Sequence, residues 1–194
     1  MIDVERMIER WCDGDDRAAE ALYNHFRERT FYLAYGLLGD AADAEEAAQD
    51  ALTYALLNIR RYDPERASFA TWLHTIAVSH CRDHYRRQRR PRLSLERWLG
   101  RGHDPHDPSP GPERRVMAGE VKSEVWQAVH ELKPILREAI VLRYWLGHTY
   151  REMAEILDCP LRTAQSRVRL AFQELQARLT AAELGEASGF EEVM

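Results

Sequence analysis

Residues 149–169 read TYREMAEILDCPLRTAQSRVR. Thr149 and Glu152 stand at the spacing in which each side chain satisfies a backbone N–H of the other, which marks a helix start. Met153, Ala154 and Leu157 then share one helical face. Asp158, Cys159 and Pro160 end that helix, because Asp tolerates a left-handed turn and Pro biases the residue before it away from helix. The spacing predicts a second helix from Leu161, with Leu161, Ala164, Val168 and Ala171 facing inward. Arg162, Thr163, Gln165, Ser166 and Arg169 are left outward, and these types donate to phosphates and base edges. Two short helices about a tight turn make a helix-turn-helix, whose second helix enters the DNA major groove.

Around this stretch, 194 residues allow one domain or two small ones. No apolar run reaches the length of a membrane span, so no membrane insertion is expected. The beginning, MIDVERMIERW, is charged and lacks a signal-peptide core. Cys12, Cys81 and Cys159 have no paired spacing, which suits a reducing compartment. A soluble cytoplasmic protein is the expectation. The net charge of −5 argues against a nucleic-acid partner until its distribution is read. Eight arginines lie between Arg82 and Arg101, against Asp83 and Glu96, and four between Arg162 and Arg178, against Glu174. Acid gathers at Asp13 to Glu20, Asp40 to Asp50 and Glu183 to Glu192. Such segregation presents basic faces to DNA and acidic faces to a protein. Lys122 and Lys133 are the only lysines. Preference for bidentate arginine contacts explains this, and so does genomic base composition.

Strand signals are weak and helical periodicity is strong throughout. Asp15 and Asp16 can cap a helix that turns Ala19, Leu22, Phe26, Leu33 and Leu37 to a core and closes at Gly39. Asp40 or Asp43 can start another, with an apolar stripe of Ala44, Ala47, Ala48, Ala51, Leu52, Ala55 and Ile59 opposite the polar Glu45, Glu46, Gln49 and Asp50. Pro64 interrupts, and a helix from about Phe69 carries Phe69, Trp72, Leu73, Ile76, Ala77 and His80 on one side and ends in arginines. GRGHDPHDPSPGP lacks an apolar period and reads as a linker, or as a loop ordered on a partner. Val121, Val125, Ala128, Val129 and Leu132 mark the next helix. Pro134 opens one with Leu136, Ile140 and Tyr144 inward and Gly147 at its end. Beyond about Thr180 the chain is expected to fray. The fold class is therefore all-α, two small helical domains on a flexible linker. The expected units are 1–92, a linker 93–117, 118–180, and an acidic tail 181–194.

Three segments together resemble the sigma-70 family of bacterial RNA polymerase initiation factors, in its compact extracytoplasmic-function group. DAEEAAQDALTYAL, Asp43 to Leu56, is similar to the family's region 2.2. FATWLHTIAVSHCRDHYRRQRR, Phe69 to Arg90, resembles regions 2.3 and 2.4. ELKPILREAIVLRYWLGHTYREMAEILDCPLRTAQSRVRLAFQEL, Glu131 to Leu175, resembles region 4. The likeness covers about residues 10–95 and 118–180.

The resemblance implies a factor that binds core RNA polymerase, through the clamp helices of its largest subunit and its flap region, and directs it to promoter DNA. Asp43, Glu45, Glu46, Gln49 and Asp50 would meet the clamp helices. Asn58, Arg61, Tyr62 and Asp63 fall in the loop that captures a flipped −10 base. Aromatic and flat polar side chains suit that task, since an unstacked base must be held. Phe69 and Trp72 are further candidates that also fit the core stripe. Thr75, Ser79, Arg82, Arg86 and Arg87 are spaced to face the −10 strand, and Arg89 and Arg90 add electrostatic contacts. Thr149, Arg162, Thr163, Gln165, Ser166, Arg167 and Arg169 would read the −35 element. Departures from the family pattern occur at Val78 and Ser79, where an Arg-Asn pair is common, and at Asp158, Arg162 and Ala164. They bear on promoter choice more than on fold. The family also implies an anti-sigma partner.

No catalytic constellation, phosphate loop or cofactor motif appears, so no enzyme activity and no cofactor are expected. His80 and His84 have a zinc-compatible spacing beside Cys81, and His103, Asp104, His106 and Asp107 form a loose set; neither is expected to hold metal. Two rival readings stand: a helix-turn-helix regulator with an N-terminal sensing domain, and a helical protein–protein adaptor. The first does not account for the helix that runs from aromatics to arginines at Phe69 to Arg90, and run-off transcription with core polymerase separates all three readings.

Overall fold

Asp3 begins the first helix by accepting a hydrogen bond from the Arg6 N–H at 3.1 Å. The computed structural model describes residues 3–89 and 123–189. Helix α1 spans Val4–Cys12 and α2 spans Asp16–Leu38, capped by Asp15 and closed by Gly39 in the left-handed conformation (φ 81°). Helix α3, Ala41–Leu57, starts at Asp40, whose carboxylate accepts from the N–H groups of Ala42 and Asp43. A 3-10 turn, Ile59–Arg61, and a loop lead into α4, Phe69–Arg89. Beyond the linker come α5, Ser123–Glu131, and α6, Pro134–Ile140, which continues as a π-helical turn, Val141–Trp145. Helix α7, Tyr150–Ile156, and α8, Leu161–Gly189, complete the chain. Among the described residues all regular structure is helical.

Small residues decide how closely the first four helices approach. Ala44, Ala47, Ala48, Ala51 and Ala55 are all buried on α3, so its backbone lies close against α2 and α4. One apolar cluster lies wholly in the first unit, joining Ile8, Leu22, Phe26, Leu52, Phe69 and Leu73. Helix α1 was not anticipated from its charged sequence. It is tied down by Ile8 and by the Trp11 indole, which donates to the Leu56 carbonyl at 2.9 Å.

A second cluster runs without a break from the first unit into the last helices. Leu33, Ala34, Leu37, Ala77 and Val78 pack with Val141, Leu142, Met153 and Val168. The two small helical domains expected on either side of the linker are present, and an apolar cluster is shared between them. Gly36 makes the approach possible: a Cβ there would lie 2.9 and 3.0 Å from the two γ-carbons of Val141. Arg137 fastens the same edge, donating at 2.7 Å to the carbonyl of Leu37, which α2 itself leaves unpaired at its end.

The π-helical turn corrects another expectation. Its extra residue, with the Leu146 N–H reaching back to the Val141 carbonyl at 3.1 Å, rotates the side chains after it about the helix axis. Tyr144, expected inward, is 62% exposed, and Trp145 packs on Trp126 with ring centroids 4.0 Å apart. Leu161 is likewise exposed, being the first residue of α8 and outside its inner face. Backbone helix continues to Gly189, past the point where fraying was expected. The linker 93–117, Arg90 and residues 190–194 lie outside the described residues.

Candidate nucleic-acid interface

Residues 149–169 fold as their spacing predicts. The Thr149 hydroxyl accepts from the Glu152 N–H at 3.3 Å, while the Glu152 carboxylate accepts from the Thr149 N–H at 2.7 Å and from its hydroxyl at 2.8 Å. Asp158 turns the corner at φ 49°, the one positive φ outside glycine among the described residues. Met153, Ile156, Ala164, Val168 and Ala171 are buried and set the angle between the two helices. Arg162, Gln165 and Arg169 are exposed along one face of α8, at the i, i+3, i+7 spacing that lines a groove-facing surface. Thr163, Ser166 and Arg167 are half-buried beside them, and Nη1 of Arg167 is buried without a hydrogen-bond partner. Thr149 needs a correction. Its hydroxyl serves the helix start, so it positions α7 rather than offering a free donor to DNA.

Across a cleft from the helix-turn-helix, the loop before α4 holds the expected base-capturing residues. Tyr62, Phe69 and Trp72 form an aromatic trio with centroids 5.4–5.7 Å apart. Phe69 is buried and packs on Phe26, so it belongs to the core; Tyr62 and Trp72 are half-buried and keep an edge open. Burial, then the Glu5 and Asp63 charges, raise the Tyr62 phenol above its usual pKa, so it stays a neutral donor. The Asn58 amide donates to the Tyr54 carbonyl at 2.9 Å, and Arg61 donates to the Tyr54 hydroxyl at 3.2 Å. The Asp63 carboxylate accepts from the Glu65 N–H at 3.0 Å and shapes the loop. Thr75 bonds back to the Thr71 carbonyl, Ser79 is exposed, Arg86 pairs with Asp83 on the surface, and Arg87 is exposed. Val78 is fully buried and belongs to the shared apolar cluster rather than to the exposed side of α4.

Arg82 departs most from expectation. Its guanidinium grips Glu138 of α6 through two parallel bonds, Nε to Oε1 at 2.8 Å and Nη2 to Oε2 at 2.7 Å. The Glu138 hydrogen bonds raise the Arg82 pKa further. A cation expected on phosphate is instead neutralised by a buried carboxylate of the second unit, whose side chain is only 6% exposed. Nearby, Nδ1 of His74 lies 2.7 Å from Nε2 of His148, and Nδ1 of His148 faces the Glu152 carboxylate at 3.6 Å. The carboxylate favours a proton on His148 Nδ1, so His74 is the donor between the rings. Burial lowers the His74 pKa to about 3 and also lowers that of His148, so both rings are neutral. Neither histidine nor Glu138 was singled out from sequence, because nothing local marks a contact between residues 56 or 74 positions apart.

A cleft of about 920 Å³ lies between the loop and the helix-turn-helix. It gathers Arg61, Asp63, Trp72 and Thr75 on one side and Arg151 and Cys159 on the other. Arg66 and Arg151 there were not among the expected contacts, though both are exposed cations.

The acidic face of α3 is presented as expected. Glu46, Gln49 and Asp50 are exposed, while Asp43 and Glu45 are half-buried. Asp43 faces Nε2 of His84 at 3.4 Å, and the His80 ring lies edge-on to Tyr54. His80 and His84 are thus turned to different neighbours. His103, Asp104, His106 and Asp107 lie outside the described residues. No helix among the described residues is long and apolar enough to cross a membrane.

Comparison with known proteins gives two family matches in order along the chain: Sigma-70 region 2 over residues 22–91 and Sigma-70, region 4 over residues 122–175. The ECF RNA polymerase sigma factor RpoE of Cereibacter sphaeroides is 30% identical over 175 residues, 86% of this chain and 88% of that protein. The RNA polymerase sigma-H factor of Pseudomonas aeruginosa is 28% identical over 180 residues, 90% of this chain and 93% of the relative. Among solved structures, CnrH in complex with the cytosolic domain of CnrY superposes with a TM-score of 0.64 at 22% identity, covering 92% of this chain and 99% of that one. The sigma factor RpoE in complex with the anti-sigma factor NepR from Bartonella quintana gives 0.62 at 22% identity, covering 83% and 96%.

Proposed function

The chain belongs to the sigma-70 family of RNA polymerase sigma factors, in its extracytoplasmic-function group, and from that membership we propose how its residues divide the work. The protein directs core RNA polymerase to specific promoters by binding the −35 and −10 elements and helping to open the latter. In our reading, Glu46, Gln49 and Asp50, with Asp43 and Glu45 at the edge, are the acidic face of α3 that docks on the clamp helices of the polymerase. Tyr62 and Trp72, flanked by Asn58, Arg61 and Asp63, hold the flipped −10 base. Ser79, Arg86 and Arg87 on α4 track the strand beside it, joined by Arg82 once that arginine is released. Arg162, Gln165 and Arg169 read the −35 element, with Thr163, Ser166 and Arg167 behind them.

The single observation that supports this assignment is the arrangement of exposed donors on α8, which follows a capped partner helix across the Asp158 turn. A regulator with an unrelated sensing domain is not favoured, since region 2 occupies that part of the chain. Polymerisation chemistry belongs to the partner enzyme. One solved relative was captured with an anti-sigma factor, and we propose that an anti-sigma protein also holds this chain. Mapping transcription starts after overproduction tests the promoter assignment: start sites should share one −35 and one −10 sequence, and starts without a shared pair would reject it.

A further inference from the structure

The cleft of about 920 Å³ beside the loop before α4 gathers cations that no promoter contact assigned above uses. Arg61 and Arg66 line it from the loop, and Arg151 from α7. Arg66 and Arg151 belong to neither set of DNA-reading residues. None of the three arginines forms a salt bridge with another described residue. Arg61 gives one N–H to the neutral Tyr54 hydroxyl, which leaves its charge uncompensated. Three carboxylates share the lining: Asp63, Glu155 and Asp158. Asp63 is engaged by the Glu65 N–H at 3.0 Å, and the Asp158 charge acts on the Arg82 guanidinium. The remaining carboxylate, Glu155, reduces the positive field without cancelling it.

Trp72 lines the same space, half-buried, its ring held by Tyr62 with centroids 5.6 Å apart. An indole holds a nucleobase by stacking, and guanidinium groups hold phosphate oxygens through paired, charge-assisted hydrogen bonds. Cations on both walls call for an anion charged at more than one phosphorus. The volume also suits a small ligand, since such sites run to about 300–1,000 Å³. We propose that this cleft binds a free nucleoside diphosphate. The base lies against Trp72, and the two phosphates are shared between Arg61 and Arg66 on one wall and Arg151 on the other. The inference rests on the reading of Trp72 as a base platform. Arg66 and Arg151, which select the diphosphate, have no part in that reading.

Calorimetric titration of the full chain with ADP and with GDP tests this, with pyrophosphate and adenosine as separate probes. Both diphosphates should saturate a single site with dissociation constants below about 1 mM. Pyrophosphate alone and adenosine alone should each bind at least about tenfold more weakly, because each engages only part of the site. Arg66→Ala and Arg151→Ala, both at exposed positions, should each weaken ADP about tenfold, as should Trp72→Leu. Arg27→Ala, on the exposed side of α2, should leave the affinity unchanged. Absence of saturation by either diphosphate below about 1 mM would overturn the proposal. So would pyrophosphate binding as tightly as ADP, or Arg27→Ala weakening ADP as much as Arg151→Ala, since either marks diffuse charge. Should Trp72→Leu lose helical circular dichroism, the wild-type comparison of ADP with pyrophosphate still decides the stacking. Run-off transcription separates this site from the assigned function. ADP binding by a chain that yields no promoter-directed transcripts supports the site and rejects the function, whereas transcripts from a chain that binds no diphosphate reject the site alone.

Discussion

Thr149 and Glu152 show how a local spacing can commit a side chain to structure. Their spacing announces a helix start, and the same hydrogen bonds take the threonine hydroxyl away from DNA. Thr149→Ala should therefore cost about 1 kcal/mol of stability, read by urea denaturation. Its effect on −35 selectivity should be no larger than this loss of stability accounts for. Arg162 is the contrary case, exposed with no structural duty evident, and Arg162→Ala should lower discrimination at one −35 position by about 1–3 kcal/mol in a binding titration. The histidines carry a pH prediction. His74, at about 3, and His148, also lowered, bind protons less readily than in the unfolded chain, where histidine titrates near 6.5. Stability is then complete above about pH 6.5 and declines as pH falls, by up to about 1.4 kcal/mol per pH unit for each such histidine, with the His74 contribution levelling near pH 3. Arg29 opposes protonation of both rings, and Glu152 favours it at His148. Urea midpoints between pH 7 and 5 should fall accordingly, and His74→Gln should flatten the slope.

Among the elements, α3 divides cleanly into a buried alanine stripe and an acidic outer face. Glu46→Lys with Asp50→Lys should weaken association with core polymerase in a titration while leaving helicity unchanged; equal affinity would remove this face from the docking surface. The ends of α2, α3, α6 and α7 were legible because caps act locally: Asp15, Asp40, Pro134 and Thr149 each sit where their chemistry requires. The stripe on α3 was legible for the same reason, since periodicity reports which face is buried. The features that escaped depend on partners distant in sequence. Helix α1 is the exception: Val4, Met7, Ile8, Trp11 and Cys12 recur at helical spacing and all join the apolar cluster of the first unit, so its signal was local but masked by the charges between them. The π-helical turn at Val141–Trp145 breaks the 3.6-residue period, so extrapolating it turned Tyr144 inward when Trp145 is the residue that packs. Arg82 looked like any other member of the basic run, and only the fold sets it against Glu138.

For the whole molecule, the two family regions are recognisable separately, yet the structure joins them through one continuous apolar cluster. Composition read two modules on a tether, because a Pro- and Gly-rich stretch between periodic segments says nothing about whether the modules on either side adhere. The adhesion comes from single positions with no local signature, Gly36 and Arg137 foremost. Charge distribution is visible at this scale: an overall negative chain gathers arginines at the end of α4 and along α8 and exposes Glu46 and Asp50 on α3, and the roles proposed for these faces rest on that segregation. The most direct check of that division of labour is run-off transcription with purified core RNA polymerase and this protein, on templates carrying the mapped start regions. Discrete transcripts that need the protein, and disappear when either the −35 or the −10 sequence is scrambled, are the predicted result. Transcripts absent, or unchanged on scrambled templates, would contradict it.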